Sequence, residues 1–288
     1  MTGRAELARH PGFGRISPEV GRFDEEALGE LLGEDPDGTL ALLAEMTGAV
    51  DPALRQAARR LTGRICIRLG RVPDHRRRGT GRLVGAPAGV DGELDLDASL
   101  EAVLEAAGAG RAPDLGELRS RRWGGRDLAL VLVVDRSGSM GGGRLATAAL
   151  AAAALAGRVP GELAVLAFAG TVTVVKAIGE DRTAGALVED LLSLRGRGTS
   201  NLTLALAGAR EELARSRARH RAVLLLSDCR HNVGPRPDPV VGWAEELLIV
   251  APAGDAAEAR ALAAASGGRA VEVTGPSELP GVLTGLLA

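Results

Sequence analysis

Residues 128–140 read Leu-Ala-Leu-Val-Leu-Val-Val-Asp-Arg-Ser-Gly-Ser-Met, and they contain the clearest signal of the fold class. Its seven consecutive apolar residues predict a strand covered on both faces, since a strand with one face in water alternates apolar and polar residues. The strand is followed by Asp135, Ser137 and Ser139, three oxygen-bearing side chains at alternate positions. Because ligands of open α/β sheets bind at the carboxyl ends of strands, a functional site is expected at this junction.

From this stretch to residue 288, further apolar runs alternate with helical patterns. The predicted strands are Leu128–Val134, Leu163–Phe168, Val172–Lys176, Ala222–Ser227, Leu247–Val250 and Ala270–Val273. The predicted helices are Arg144–Ala156, Ala184–Leu194, Leu202–Arg215, Ala256–Ala265 and Ser277–Leu287. The second and third strands are joined by Ala169-Gly170-Thr171, which is too short for a crossover, so one of them should be an antiparallel edge strand. We therefore expect a doubly wound, mostly parallel, six-stranded α/β sheet.

The chain before this sheet reads mainly as helices, because apolar residues recur there at helical spacing. Asp51-Pro52 predicts the start of one helix, and Asp97 or Ser99 the start of another. Arg71–Pro87 is rich in Gly, Pro and Arg and is interpreted as an exposed loop. The predicted organisation is a smaller helical N-terminal region at 1–110, an Arg-rich linker at 111–126 and the α/β domain at 127–288.

Composition excludes several classes of function. The 288 residues include 35 Lys+Arg and 37 Asp+Glu, so the net charge of −2 gives no field that would hold nucleic acid or an anionic membrane. Three Phe, two Trp and no Tyr leave few platforms for base stacking. Lys176 is the only lysine and does not follow a glycine-rich loop, so the chain has no Walker A motif.

Sequence features also predict the cellular location of the protein. No apolar segment follows the charges at the N-terminus, so we expect no secretory signal and a cytoplasmic protein. The apolar run Leu145–Gly157 is too short to span a membrane and is interpreted as a buried helix. Two cysteines, Cys66 and Cys229, are expected to be free thiols.

Three loops at the predicted strand ends share a single chemistry. Besides Asp135–Ser139, they are Gly196–Asn201, which opens a helix, and Ser227–Arg230, which contains Asp228. Together they offer two carboxylates and several hydroxyls, with no histidine or thiolate required. Such hard oxygen donors suit Mg²⁺ or Mn²⁺ better than zinc. We therefore expect a divalent cation here.

The motif Asp135-x-Ser137-x-Ser139, a later Thr or Ser at a helix start, and Asp228 after a further strand resemble the metal-ion-dependent adhesion site of von Willebrand factor A domains. The resemblance implies that both serines ligate the cation directly and that the two aspartates supply negative charge. The remaining hydroxyl belongs to Thr199 or Ser200. A preceding glycine favours Thr199, whereas the helix register favours Ser200, which is our first choice. The resemblance also implies an open coordination position that binds a carboxylate of a partner protein.

The function predicted from this resemblance is that of an adaptor without enzymatic activity of its own. A helical region before an A domain is similar to stand-alone bacterial proteins of the CoxE and chelatase type, which work with separate MoxR-type AAA+ ATPases in client remodelling or metal insertion. Arg136 and Arg230 are further candidates for binding the partner's carboxylate. The alternative is a Mg²⁺-dependent hydrolase or phosphatase that uses Asp135 as nucleophile or base.

Overall fold

A computed structural model of the chain describes residues 2–20, 22–70, 83–87, 93–113, 117–123, 128–137, 142–156, 159, 162–194 and 198–286. The chain divides into two compact units. The first combines Met1–Val72 with Leu128–Ala288, and the second is Pro73–Asp127. The second unit is therefore inserted between two parts of the first.

The first unit opens with helices, several of which begin at an aspartate that accepts hydrogen bonds from the first turn. They are α1 (Arg4–Leu7), α2 (Phe13–Ile16), α3 (Glu25–Glu34), α4 (Pro36–Met46) and α5 (Pro52–Gly70). Asp24 caps α3 and Asp35 caps α4. Asp51 Oδ1 accepts hydrogen bonds from the backbone nitrogens of Ala53 and Leu54, which confirms the helix start predicted at Asp51-Pro52.

The second unit contains a small antiparallel sheet and one helix. Its elements are β1 (Leu83–Pro87), β2 (Glu93–Leu94), α6 (Leu96–Gly108) and β3 (Arg119–Trp123), with strand order β1-β3-β2. Asp95 caps α6 by accepting a 3.1 Å hydrogen bond from Ala98 N, so the cap predicted at Asp97 or Ser99 is wrong. Ser99 instead bonds the backbone of Arg119, donating to its oxygen at 3.2 Å and accepting from its nitrogen at 2.9 Å. These bonds fasten α6 to β3.

Two sequence expectations are corrected in this unit. Residues 83–87, predicted as part of an exposed loop, form β1, and the Arg-rich segment predicted as a linker contains β3. The two strands pair from Leu83↔Trp123 to Pro87↔Arg119. Strands pair through backbone hydrogen bonds, which do not require alternating apolar residues. The sequence of β3 lacks that alternation, so it was not predicted as a strand. The remainder of the predicted loop, residues 71–82, lies outside the described residues.

The main sheet follows in the first unit and confirms the predicted α/β architecture. Its strands are β4 (Leu128–Asp135), β5 (Leu163–Phe168), β6 (Val172–Lys176), β7 (His220–Leu226), β8 (Glu246–Pro252) and β9 (Arg269–Val273). The strand order is β6-β5-β4-β7-β8-β9. All neighbouring pairs are parallel except β5 with β6, so β6 is the antiparallel edge strand.

Helices cover both faces of this sheet. They are α7 (Gly142–Ala156), α8 (Ala184–Ser193), α9 (Leu202–Arg215), α10 (Ala257–Ser266), a 3-10 helix (Pro276–Glu278) and α11 (Leu279–Leu286). Even-numbered residues of β4 share a core with α7 and α8, and odd-numbered ones share a core with α9 and α10. Burial on both faces explains why the strand is apolar throughout.

The N-terminal helices complete the α/β unit. In α7, every residue from 148 to 156 is buried, which confirms the predicted buried helix. The sheet covers one side of α7, while α4 and α5 pack against the rest, with Leu40 and Leu43 fully buried in the shared core. A helix that is apolar all round needs such a second cover. The predicted division after residue 110 is therefore corrected: the chain up to residue 72 belongs with the sheet.

Among the described helices, none combines the length and the apolar character that crossing a bilayer requires.

Candidate functional site

The candidate site lies at the carboxyl ends of β4, β5 and β7. Asp135 is the last residue of β4 and pairs with Phe168, the last residue of β5. On the other side Val134 pairs with Leu226, the last residue of β7, so Ser227 and Asp228 follow directly beside Asp135. Parallel register thus brings two of the predicted loops to one edge of the sheet.

The Asp135 carboxylate is buried and held by two serines. Its Oδ1 accepts a 2.8 Å hydrogen bond from Ser137 N, and its Oδ2 accepts one of 2.8 Å from Ser227 Oγ. Only 1% of Asp135 is exposed. Burial raises the pKa of this carboxyl above its usual value and the charge of Asp228 raises it further, while the serine hydrogen bonds oppose the increase. No described cationic side chain pairs with Asp135.

Asp228 is the second buried carboxylate. Its Oδ1 accepts a 3.0 Å hydrogen bond from Arg230 N, and its Oδ2 lies 3.7 Å from Nη1 of Arg144 at the start of α7. Its charge acts on Asp135, so the two aspartates share one electrostatic environment. Sequence analysis placed Ser227 in one of the three loops but gave it no role of its own, and it did not identify Arg144 as part of this site.

The third loop is tied to the other two by backbone hydrogen bonds. Asn201 N donates to Ala169 O at 2.8 Å, and Asn232 N donates to Ser200 O at 3.1 Å. The side chain of Asn201 caps α9 by accepting from Leu204 N at 3.1 Å. These bonds place the start of α9 beside the strand ends that carry the two aspartates.

The two candidate hydroxyls of this loop differ in environment. Ser200 is 3% exposed, whereas Thr199 is exposed. Neither hydroxyl forms a hydrogen bond with another described residue. Of the remaining predicted ligands, Ser137 is buried beside Asp135, and Ser139 lies outside the described residues. The structure therefore gathers the loops of Asp135, Ser137, Thr199, Ser200 and Asp228.

The residues around Asp228 show why the loop holds its shape. Cys229 has a φ of 61°, a left-handed conformation that a non-glycine residue adopts at a cost. Its backbone nitrogen donates to Ser227 Oγ at 2.9 Å, so Ser227 links the turn to Asp135. Burial raises the pKa of the Cys229 thiol, and the negative charges of Asp228 and Asp135 raise it further. Cys229 is thus a packed residue with a buried free thiol, and the thiol of Cys66 is likewise free and buried.

The two arginines predicted to bind a partner's carboxylate have different environments. Arg230 pairs with Asp255, with 2.6 Å between Nη2 and Oδ1. Arg136 is partly buried, and its Nε has no hydrogen-bond partner within the described part of the chain. A cavity of about 180 Å³ opens between the start of α7 and the ends of β4, β7, β8 and β9. Its polar lining includes Asp135, Arg144, Thr147, Ser227 and Thr274.

The donor set determines what this site could hold. Within the described residues, no group of three or more His, Cys, Asp or Glu side chains is arranged for a metal ion. A cation would therefore be bound by the two aspartates together with serine or threonine hydroxyls. All of these are hard oxygen ligands, which fit Mg²⁺ or Mn²⁺.

Comparison with known protein families agrees with the α/β fold described above. Residues 130–231 match the family model of the von Willebrand factor type A domain. The chain therefore contains a von Willebrand factor type A domain in this segment. No curated protein matches the sequence.

Solved structures with similar folds share little sequence with this chain. A von Willebrand factor type A protein from Catenulispora acidiphila is 18% identical, with a TM-score of 0.43, over 59% of this chain and 43% of that one. The vWF domain of the pili tip protein Mfa5 from Porphyromonas gingivalis is 23% identical, with a TM-score of 0.31, over 35% and 37%. An aerotolerance-related membrane protein from Bacteroides fragilis is 14% identical, with a TM-score of 0.42, over 57% and 98%. The chain thus spans less than half of the first two.

Proposed function

We propose that the von Willebrand factor type A domain of this chain is a divalent-cation-dependent protein-binding module. Asp135, Ser137, Ser139, Ser200 and Asp228 would hold Mg²⁺ or Mn²⁺, with Thr199 as the alternative to Ser200. The observation that carries the proposal is the pair of buried aspartates at the carboxyl end of the sheet. Arg144 lies 3.7 Å from Asp228, but no described cationic side chain pairs with Asp135, so a bound cation would offset the cost of burying the two carboxylates together.

The chain's own residues prepare this site for a cation. Ser137 N and Ser227 Oγ each bond one oxygen of Asp135 and so fix the plane of its carboxylate. The buried hydroxyl of Ser200 forms no hydrogen bond with another described residue and is available as a ligand. When bound, the cation would supply an open coordination position for the carboxylate of a partner protein. Binding would then depend on an acidic residue of that partner.

The partner we propose is a separate MoxR-type AAA+ ATPase, with this chain as its adaptor in client remodelling or metal insertion in the cytoplasm. The position of Lys176 supports the assignment of ATP hydrolysis to the partner and of binding to this chain. This only lysine is buried in β6, where its Nζ donates to Leu163 O at 2.6 Å. It is therefore not available to bind nucleotide phosphates, and ATP would be hydrolysed by another polypeptide.

The hydrolase alternative has no comparable support. As a nucleophile or base Asp135 would have to contact a substrate directly, whereas as a ligand it needs to contact only an ion; its 1% exposure and its two accepted hydrogen bonds therefore favour the ligand role. We accordingly propose a binding function without catalysis.

Calorimetric titration of the full chain with Mn²⁺ and Mg²⁺ tests the cation site. We expect saturable binding by the wild type, loss of binding in Asp135→Ala and Ser137→Ala, and unchanged binding in Ser193→Ala. Ser193 is a suitable control because its hydroxyl donates to Asp190 O on α8, away from the strand ends. Absence of binding by the wild type would overturn the proposal.

A pull-down then tests the partner. A MoxR-type AAA+ ATPase from the same organism should bind the immobilised chain in Mg²⁺, and the complex should be lost with EDTA or with Ser137→Ala. Binding that survives both treatments would contradict cation-dependent recognition. Metal-dependent phosphatase or esterase turnover that disappears in Asp135→Ala would replace this function with the hydrolase.

A further inference from the structure

Helix α6 of the second unit exposes its large apolar residues. Leu96 is 70% exposed, Leu100 55%, Val103 37% and Leu104 63%. Their spacing of three and four residues places them in one stripe along the helix. This reverses the usual arrangement, in which such a stripe faces the core.

The buried side of α6 is made of small and polar residues instead. Ser99 and Ala106 are fully buried, and Asp95 at the N-cap is 8% exposed. The hydrogen bonds between Ser99 and the Arg119 backbone hold this side against β3. The orientation of α6 is therefore fixed by specific contacts, and these contacts leave the leucine stripe facing outward.

A third stripe of α6 carries negative charge. Asp97, Glu101 and Glu105 are all exposed and recur at intervals of four residues, directly beside the leucine stripe. Residues 96–108 include no lysine or arginine. A second copy of this helix would thus bring more carboxylates and no opposite charge. The same carboxylates would repel an anionic lipid surface.

We propose that the leucine stripe of α6, formed by Leu96, Leu100, Val103 and Leu104, is a docking surface for an amphipathic helix of a partner protein that carries lysine or arginine beside its apolar face. Leucine side chains would pack between the two helices, and the basic residues would pair with Asp97, Glu101 and Glu105. Apolar contact supplies affinity in such helix pairs, whereas the flanking charges determine which partner is accepted. This inference is independent of the cation site.

Two designed helical peptides provide the probe. Both carry leucine at the a and d positions of each heptad, and they differ only in their flanking positions, which are lysine in one peptide and glutamate in the other. Fluorescence anisotropy with the full chain should give clear binding of the lysine peptide. The glutamate peptide should bind at least about tenfold more weakly than the lysine peptide.

Variants of the full chain test the two stripes separately. Leu100→Asp with Leu104→Asp should weaken binding of the lysine peptide by about tenfold or more. Val174→Asp with Leu204→Asp is the matched control, because these apolar residues are 51% and 47% exposed on the first unit. Glu101→Lys with Glu105→Lys should reverse the preference, so that the glutamate peptide binds more tightly. This reversal keeps the test decisive even if the leucine variant folds poorly.

Several results would overturn the proposal. Equal binding of both peptides to the wild type would remove the role of charge, and equal loss in the control variant would remove the role of α6. If analytical ultracentrifugation shows a dimer that dissociates in the Leu100→Asp, Leu104→Asp variant, the occupant is a second copy. Binding of the wild type to anionic vesicles that requires Leu100 and Leu104 would identify a lipid surface instead.

Discussion

Asp37 and Ser277 are joined by two hydrogen bonds across 240 positions of the sequence. Ser277 N donates to Asp37 Oδ1 at 2.7 Å, and Ser277 Oγ donates to Asp37 Oδ2 at 2.8 Å. Asp37 lies in the first turn of α4, and Ser277 lies in the 3-10 helix that leads into α11. One carboxylate thus fastens an N-terminal helix to the C-terminal end of the α/β fold.

Replacing Asp37 with alanine should lower the free energy of unfolding by about 1 kcal/mol, the usual effect of losing a capping carboxylate. Chemical denaturation measures this change. Asp238→Ala is the matched control, since Asp238 is an exposed aspartate without a hydrogen bond to another described residue. Equal stability of the Asp37→Ala variant and the control would show that the contact contributes nothing.

Alanine substitutions of Ser200 and Thr199 should have clearly different effects on cation binding. We expect Ser200→Ala to abolish Mn²⁺ binding in calorimetry and Thr199→Ala to leave it nearly unchanged, because Ser200 is buried at the start of α9 while Thr199 is exposed. If binding is lost only in Thr199→Ala, the exposed hydroxyl is the ligand and the helix-register assignment is wrong.

Arg144 should compete with the cation for Asp228, since its guanidinium lies 3.7 Å from Oδ2 of that residue. We expect Arg144→Gln to raise the affinity for Mn²⁺ about threefold, which corresponds to the modest energy of a partly exposed ion pair. Arg230→Gln is the control, because that arginine pairs with Asp255. Unchanged or weaker binding in Arg144→Gln would contradict competition.

Lys176 should give the protein a measurable alkaline pH dependence. Burial lowers the pKa of its ammonium from 10.5, although nearby carboxylates such as Glu180 oppose the decrease. At alkaline pH below 10.5 the unfolded chain therefore binds more protons than the folded chain, and this lysine makes the free energy of unfolding rise with pH. Relative to Lys176→Met, the wild type should gain stability as the pH rises towards 10.5. Parallel stability curves for the two proteins would contradict this prediction.

The inserted second unit should be removable. The two cores of the first unit contain, as far as the described residues go, no residue from 73–127. Replacing this segment with a flexible Gly-Ser linker should keep cooperative unfolding, with a melting temperature within about 5 °C of the full chain. Deleting residues 2–70 is the opposite control and should abolish cooperative unfolding, because α7 loses its outer cover. Loss of cooperativity on removal of 73–127 would show that the units depend on each other.

Sequence patterns predicted the main sheet well because its elements have local signatures. The bounds of β5, β6 and α9 are those expected from their apolar runs and turn residues. The short Ala169-Gly170-Thr171 connection also predicted the antiparallel edge. The gathering of Asp135 and Asp228 follows from the parallel sheet, in which strand ends share one edge.

Other features depend on contacts that local patterns do not specify. The packing of α4 and α5 on α7 joins segments far apart in sequence, and the apolar run of α7 predicted only that this helix is buried. Strand β3 is formed from arginine-rich sequence, and its pairing with both β1 and β2 explains why it is a strand. The contact of Arg144 with Asp228 could not be predicted from sequence, because it depends on where α7 lies relative to β7.

The cover that α4 and α5 provide for α7 has a consequence for synthesis of the protein. The ribosome completes α5 at Gly70 but finishes α7 and α8 only at Ser193. At roughly 5–20 residues per second, the nascent helices wait on the order of ten seconds for the surface that buries them. During translation the apolar faces of α4 and α5 are therefore exposed to chaperones and to neighbouring nascent chains, and the first unit completes its core only after most of the chain has left the ribosome.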